Sequence, residues 1–241
     1  MRAAAIGHDE EQRLVHGFFD STTSGFFVEI GANDPYERSQ TWHLEQSGWT
    51  GVLVEPQPDL AAKLVRARSA TVFAVACSSP ADAGRSLPLY VAGPLSALHR
   101  DRMAPAAVPE SIIEVPVRTL DDILQEANAP VPIDFLSVDV EGHELEVLRG
   151  LDFTRWRPRL IMVEDHVSSL AKHWFLQSSG YRLVRRVGNN GWYVPQTEPF
   201  KIGWRDRWEI LRKYYLGLPF RMARNFSRDF RRMLRSWRYG H

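Results

Sequence analysis

The sequence predicts an open α/β fold, a mostly parallel sheet with an antiparallel edge hairpin. Three observations carry this. Short apolar runs alternate with helical segments from residue 25 onward, the order expected of strands joined by crossover helices. Polar clusters fall directly after the apolar runs, where strand ends meet turns. The last two apolar runs, by contrast, are separated by Asn189-Asn190-Gly191, a hairpin signal, and an antiparallel edge on a parallel sheet is common.

The first strand spans 25–30 and stops at Gly31-Ala32-Asn33-Asp34-Pro35, a turn cluster. A helix over 39–47 follows, with Gly48 at its stop. Val52-Leu53-Val54 forms the second strand, ending in Glu55 and Pro56, and Pro58 opens a helix reaching 67. A third strand spans 71–76. Lesser strands over 87–91 and 113–117 flank a looser segment rich in Ala and Pro. Thr119 caps a helix over 120–127, with Asp121 and Asp122 in its first turn. A buried-type strand over 133–138 ends in Asp139, and a helix over 144–149 stops at Gly150. The next strand, 160–163, ends in Glu164-Asp165-His166, and a helix over 167–179 closes at Gly180. The hairpin strands are 181–187 and 192–194.

With 241 residues and 44% hydrophobic content the chain holds one α/β domain and an extension. No apolar run approaches the ~20 residues of a membrane span. The polar N-terminus has no apolar signal region. Cys77 is the sole cysteine, which excludes an internal disulfide and a CxxC metal site; a reducing, cytoplasmic location is expected. The net charge of +1 hides an asymmetry: residues 201–241 hold 12 Lys and Arg against 3 Asp and Glu, and the other 200 residues hold 18 against 26. A mildly acidic body thus carries a basic arm that suits an anionic partner. Trp204, Trp208, Leu211, Tyr215 and Leu218 recur in it at helical spacing, then Met222, Phe226, Phe230, Met233, Leu234 and Trp237. Such basic amphipathic helices lie on anionic membranes, here the inner face, or dock on protein or a second subunit. No nucleic-acid reader motif accompanies the charge.

Three clusters could carry chemistry. In Glu29-Ile30-Gly31-Ala32-Asn33 the glycine permits close backbone approach, but GxGxxG is missing, so a pyrophosphate cradle is not supported. Glu55, 24 residues on, stands where a carboxylate accepts both hydrogen bonds of a ribose diol. The second cluster packs Asp139, Glu141, His143 and Glu144 after an apolar strand. Helix capping accounts for one of these acids and not for all. The third, Glu164-Asp165-His166, suits a hard cation, a proton acceptor or a cap. In an open α/β sheet these strand ends share one rim, where ligands bind.

Taken together, Phe26-Phe27-Val28-Glu29-Ile30-Gly31-Ala32-Asn33-Asp34, Gly48-Trp49-Thr50-Gly51-Val52-Leu53-Val54-Glu55-Pro56, Asp134-Phe135-Leu136-Ser137-Val138-Asp139-Val140-Glu141-Gly142-His143-Glu144 and Val147-Leu148-Arg149-Gly150 make the chain resemble the FkbM-type methyltransferases. Pro35 stands where members often carry glycine. The resemblance implies a Rossmann-like class I methyltransferase domain over 1–200, a helical extension over 201–241, and S-adenosylmethionine as cofactor. It places Glu29, Gly31, Ala32 and Asn33 at the cofactor's methionine end, Glu55 on its ribose, Ala76 and Cys77 near its adenine, and Asp139 with Glu141 facing the transferred methyl. The expected acceptor is a hydroxyl of a sugar, a glycan or glycolipid, or a natural product. That hydroxyl must lose its proton. Either His143 or His166 takes it, or Asp139, Glu164 and Asp165 bind Mg²⁺, which lowers the hydroxyl's pKa. A nicotinamide-dependent oxidoreductase and a non-catalytic scaffold that recruits partners through the arm are the competing classes. The oligomeric state is left open.

Overall fold

A computed structural model describes residues 2–20, 22–101, 103, 107–167, 169–221 and 223, with side chains from residue 10 onward. The elements run α1 (Arg2–Phe18), β1 (Phe26–Ile30), α2 (Trp42–Gln46), β2 (Thr50–Val54), α3 (Pro58–Ala67), β3 (Thr71–Phe73), β4 (Ala76–Cys77), β5 (Ser86–Val91) and β6 (Ser111–Arg118). There follow α4 (Leu120–Glu126), β7 (Phe135–Val138), α5 (Glu144–Arg149), β8 (Leu160–Glu164), α6 (Ala171–Ser178), β9 (Tyr181–Val187), β10 (Asn190–Pro195) and α7 (Trp204–Ile210), which widens into a π-helical turn, Leu211–Leu216.

Seven strands form the main sheet in the order β3-β2-β1-β7-β8-β10-β9. The five from β3 to β8 are parallel; β10 slots between β8 and β9 antiparallel to both. This is the Rossmann-like methyltransferase architecture with its antiparallel edge.

The parallel strands are apolar at successive positions because both faces of the sheet are covered. Side chains alternate between faces. Val28, Ile30, Val52, Val54, Leu136 and Val138 enter one core with Leu120, Ile123 and Leu124 of α4, Val147 and Leu148 of α5, and Leu176 of α6. Phe27, Leu53, Phe135, Leu160 and Met162 enter the other, with Val15 of α1, Leu44 of α2 and Leu64 of α3. At roughly 1.5–3 kcal/mol for each buried large aliphatic or aromatic side chain, these two layers are the main driving force for the fold.

The structure departs from the sequence expectation in four places. Helix α1 was not anticipated, because the polar stretch His8 to Arg13 interrupts its apolar residues; Val15 and Phe19 bring that segment onto the sheet. The strand expected over 71–76 splits. Only Thr71–Phe73 joins the main sheet, while Ala76–Cys77 pairs with β6 in a second, three-stranded sheet, β4-β6-β5. The helix expected from 39 begins at Trp42, because Ser39, Gln40 and Thr41 hydrogen-bond to Glu29. The helix expected from 167 begins at Ala171, and Val167 has a left-handed φ of 50° that a helix cannot contain. In the basic arm, helical structure runs over 204–216 and 218–221; the continuation expected over 224–241 lies outside the described residues. No helix among the described residues is long and apolar enough to cross a membrane.

Candidate active site

Strand order reverses between β1 and β7, the switch point where open α/β sheets bind ligands. The chain departs from the sheet here in staggered loops. Gly31 N–H donates to the Val54 carbonyl at 2.9 Å, Asp139 N–H to the Ile30 carbonyl at 3.0 Å, and Glu55 N–H to the Phe73 carbonyl at 3.0 Å. Gly31 has φ of 84°, and a Cβ there would lie 1.9 Å from the Asp139 carbonyl oxygen. The glycine is demanded by the close passage of these two loops. Asn33 follows in the left-handed region, which asparagine tolerates. Glu141 is also left-handed, with φ of 49°, ahead of Gly142. That strained turn is held by Gly142 N–H donating to Glu144 Oε1 at 2.7 Å.

A cleft opens above these loops, lined by Gly31, Ala32, Asn33, Glu55, Ala76, Cys77, Asp139, Glu141 and His143 among others. It measures ≈ 980 Å³ counted to its open mouth, at the upper end of the roughly 300–1,000 Å³ typical of small-molecule sites. Glu55 is buried, and its two oxygens accept from Asn33 N–H and Gln57 N–H, each at 2.9 Å. Loss of water around it pushes its pKa up, and those two donors oppose the shift. Asp139 and Glu141 line the cleft, and with Glu164, which lies outside its lining, they hold carboxylate oxygens within 4.8 Å of one another. Desolvation by the surrounding loops, reinforced by the mutual repulsion of these acids and Glu144, raises all three pKa values, although Asp139 itself keeps a solvent-exposed surface. Glu141 is pushed up to about 7. Lys172 offsets the charge on Glu164, but its own contacts go to Glu144 Oε2 at 2.9 Å and the Glu164 carbonyl at 2.5 Å.

The sequence profile of the Methyltransferase FkbM domain matches residues 29–183. The chain belongs to the FkbM methyltransferase family. No curated protein matches it. The matched region begins inside β1 and ends inside β9, so it contains every loop that lines the cleft and omits α1, β10 and the C-terminal helix.

Within this methyltransferase most of the expected cofactor residues meet. Gly31, Ala32, Asn33, Glu55, Ala76 and Cys77 all line the cleft. Burial raises the Cys77 thiol well above its usual range, so it stays protonated and apolar. Glu29 does not line it. As an odd-numbered residue of β1 it points to the same face as Phe27, into the layer under α2, where it accepts from Ser39 Oγ, Gln40 N–H and Thr41 Oγ1. Arg68 donates to Ser39 and Thr41 and pairs with Glu45 at 2.7 Å, completing a buried network. Glu29 therefore braces the loop that follows β1.

The expected metal trio is rearranged too. Asp139 and Glu164 come together, but the third carboxylate is Glu141. Asp165 turns away, accepting from Val167 N–H at 2.8 Å and from the Tyr214 hydroxyl at 2.9 Å. Its role is to fasten the C-terminal helix. The two candidate histidines separate. His143 is buried in the cleft wall with Nε2 2.9 Å from Ser78 Oγ, which donates to Asp82 at 2.8 Å. His166 is outside the cleft lining, its side chain 62% exposed, with Nε2 3.4 Å from Glu164 Oε1. Partial desolvation of the ring and the nearby charge of Lys172 lower its pKa. Sequence reasoning missed Gln57 and the segment 93–98, which also line the cleft. Gln57 Nε2 donates to Ser96 Oγ at 3.3 Å and ties that segment to the rim. Gln57 was within reach, two residues past Glu55; segment 93–98 carries no charge or motif that marks it.

Proposed function

We propose that this chain is an S-adenosylmethionine-dependent O-methyltransferase acting on a hydroxyl of a sugar, glycan or natural product. The observation that supports this most is that Glu55 and the Asp139–Glu141 pair share one cleft at the switch point. Bound there, S-adenosylmethionine supplies a methyl group on a positively charged sulfur. Glu55, oriented by two backbone N–H groups, keeps lone pairs for the two ribose hydroxyls. Backbone at residues 31–33 holds the methionine end, and Ala76 and Cys77 give the adenine an apolar wall. Asp139 and Glu141 would face the methyl end, where the cofactor's positive charge draws them toward their ionised forms. His166 takes the acceptor's proton. Its lowered pKa leaves it neutral and able to accept at pH 7, and Glu164, 3.4 Å away, stabilises the imidazolium that results.

One observation favours a second proton route. Three carboxylate oxygens within 4.8 Å form a donor set suited to Mg²⁺. Transfer of labelled methyl groups to a panel of hydroxylated glycans and small molecules tests both routes. With histidine as base, activity survives EDTA, and His166→Asn costs on the order of 100-fold or more in kcat. Activity abolished by EDTA and restored by Mg²⁺ would move the proton step to the carboxylates. A folded protein that binds no S-adenosylmethionine at millimolar levels would be a scaffold instead, and binding of a nicotinamide cofactor in its place would make it an oxidoreductase.

A further inference from the structure

The C-terminal helix has two apolar faces, and the body uses only one. Ile210 and Leu218 pack against the core, and Tyr214 between them is fully buried. Tyr214 donates to Asp165, and Asp206, one turn before Ile210, pairs with Arg185 of β9 at 3.1 Å. The π-helical turn keeps this seam facing inward: Gly217 N–H reaches back five residues to the Arg212 carbonyl, so the spacing of four from Ile210 to Tyr214 to Leu218 stays in line.

The other face is the stripe Trp204, Trp208, Leu211 and Tyr215, at spacings of four, three and four. It remains in solvent, with Trp204 74%, Trp208 54% and Tyr215 54% exposed. Leu216 and Phe220 extend it, Phe220 at 79%. Docking of the helix on its own protein is therefore already satisfied, by different residues. An exposed aromatic and aliphatic band of this kind marks an interaction surface. Its flanks are cationic: Arg205 stacks on Trp204, with the guanidinium carbon 5.5 Å from the ring centre, and Arg207 is exposed, while Arg212 is paired with Glu209 at 2.7 Å.

We propose that this stripe is a docking surface for an anionic lipid bilayer, on which the helix lies flat with Trp204 and Trp208 at the interface. Charge selects this occupant. Residues 201–241 carry 12 Lys and Arg against 3 Asp and Glu, so a second copy would bring two strongly cationic arms together. Residues 222–241 hold six arginines and one aspartate and would repel the stripe's flanks in the same way. Anionic headgroups attract both segments, and the acyl boundary takes Leu211, Leu216 and Phe220, which gain nothing from a nucleic-acid strand. The docked helix is fastened through Tyr214 to Asp165, the residue after Glu164 of the carboxylate cluster. This surface is independent of the chemistry proposed above.

Flotation of the full chain with vesicles tests it, using phosphatidylcholine alone and phosphatidylcholine containing a quarter phosphatidylglycerol. The protein should float with the anionic vesicles only, and high salt should release it. Trp204→Ser/Trp208→Ser should lower partitioning about tenfold or more, since losing about 1.4 kcal/mol already does so. Both positions are exposed, so the melting temperature should be unchanged. Brominated acyl chains should quench indole fluorescence in the unaltered protein and much less in the variant. Absence of flotation, or flotation unaffected by the double substitution, overturns the proposal. So does a concentration-dependent dimer that the substitution abolishes, or RNA that binds through the two tryptophans.

Discussion

The two halves of the strand-end rim treat their carboxylates in opposite ways. On the β1–β2 side each acid is furnished with donors: Glu29 accepts from Ser39, Gln40 and Thr41, and Glu55 from two backbone N–H groups. On the β7–β8 side Asp139, Glu141 and Glu164 crowd one another, and Lys172 gives its shortest side-chain contact to Glu144 instead. The first half buries its acids and replaces the lost water with fixed donors; in the second Asp139 stays exposed, and its hydrogen bond runs to another acid, Glu164. A half held rigid by donors suits ligand binding. A half whose carboxylates hold protons near neutrality suits chemistry on a polar acceptor.

The largest effect should come from Glu29→Ala, which strips acceptors from Ser39, Gln40 and Thr41 and leaves Arg68 buried beside fewer charges. A loss of about 3 kcal/mol or more in denaturant unfolding is expected; a change below about 1 kcal/mol would erase the contrast between the halves. Asp139→Asn should act in the reverse sense, cutting methyl transfer on the order of 100-fold while stabilising the fold above pH 7 by about 1 kcal/mol. The associated pH profile has a definite sign. Glu141 and Glu164 are each raised from 4.5 to about 7 in the folded state, so the folded chain binds more protons across that window. Asp139 is raised further, from 3.8 to about 8, so stability should fall as pH rises from about 4 to 8 and level off above it, and thermal melts of Asp139→Asn should show a shallower decline. The smallest change belongs to Tyr214→Phe, which removes the hydroxyl's hydrogen bonds to Asp165 and Tyr193 and should cost about 1–2 kcal/mol, read as a small drop in melting temperature.

Much of this was legible in the sequence. Strand identity followed from apolar runs that end in Gly31, Glu55, Asp139 and Glu164, and the hairpin from Asn189-Asn190-Gly191, although the turn itself falls at Gly188-Asn189 and Asn190 and Gly191 already belong to β10. Parallel order then placed Glu55 and Asp139 at one cleft. Three things were hidden because each depends on side-chain direction or distant partners. Glu29 sits in the same apolar run as Phe27 and Val28, and only its parity in the strand aims it under α2. Asp165 and Glu164 are adjacent acids, but alternation sends one to the cluster and the other to Tyr214, 49 residues away. The stripe expected from Trp204 to Leu218 mixes two faces, because the π-helical turn rotates Leu218 to the inner seam while Tyr215 stays outside.

In the proposed function Glu55 grips the ligand of a cleft that Glu29 only supports from beneath. Isothermal titration of S-adenosylmethionine into the unaltered protein and into Glu55→Ala tests it most directly. One site per chain is expected, with affinity reduced about tenfold or more by the substitution, as for the loss of charge-assisted hydrogen bonds worth roughly 1.5–3 kcal/mol. Equal affinity in the two proteins, with the fold intact, would contradict the account.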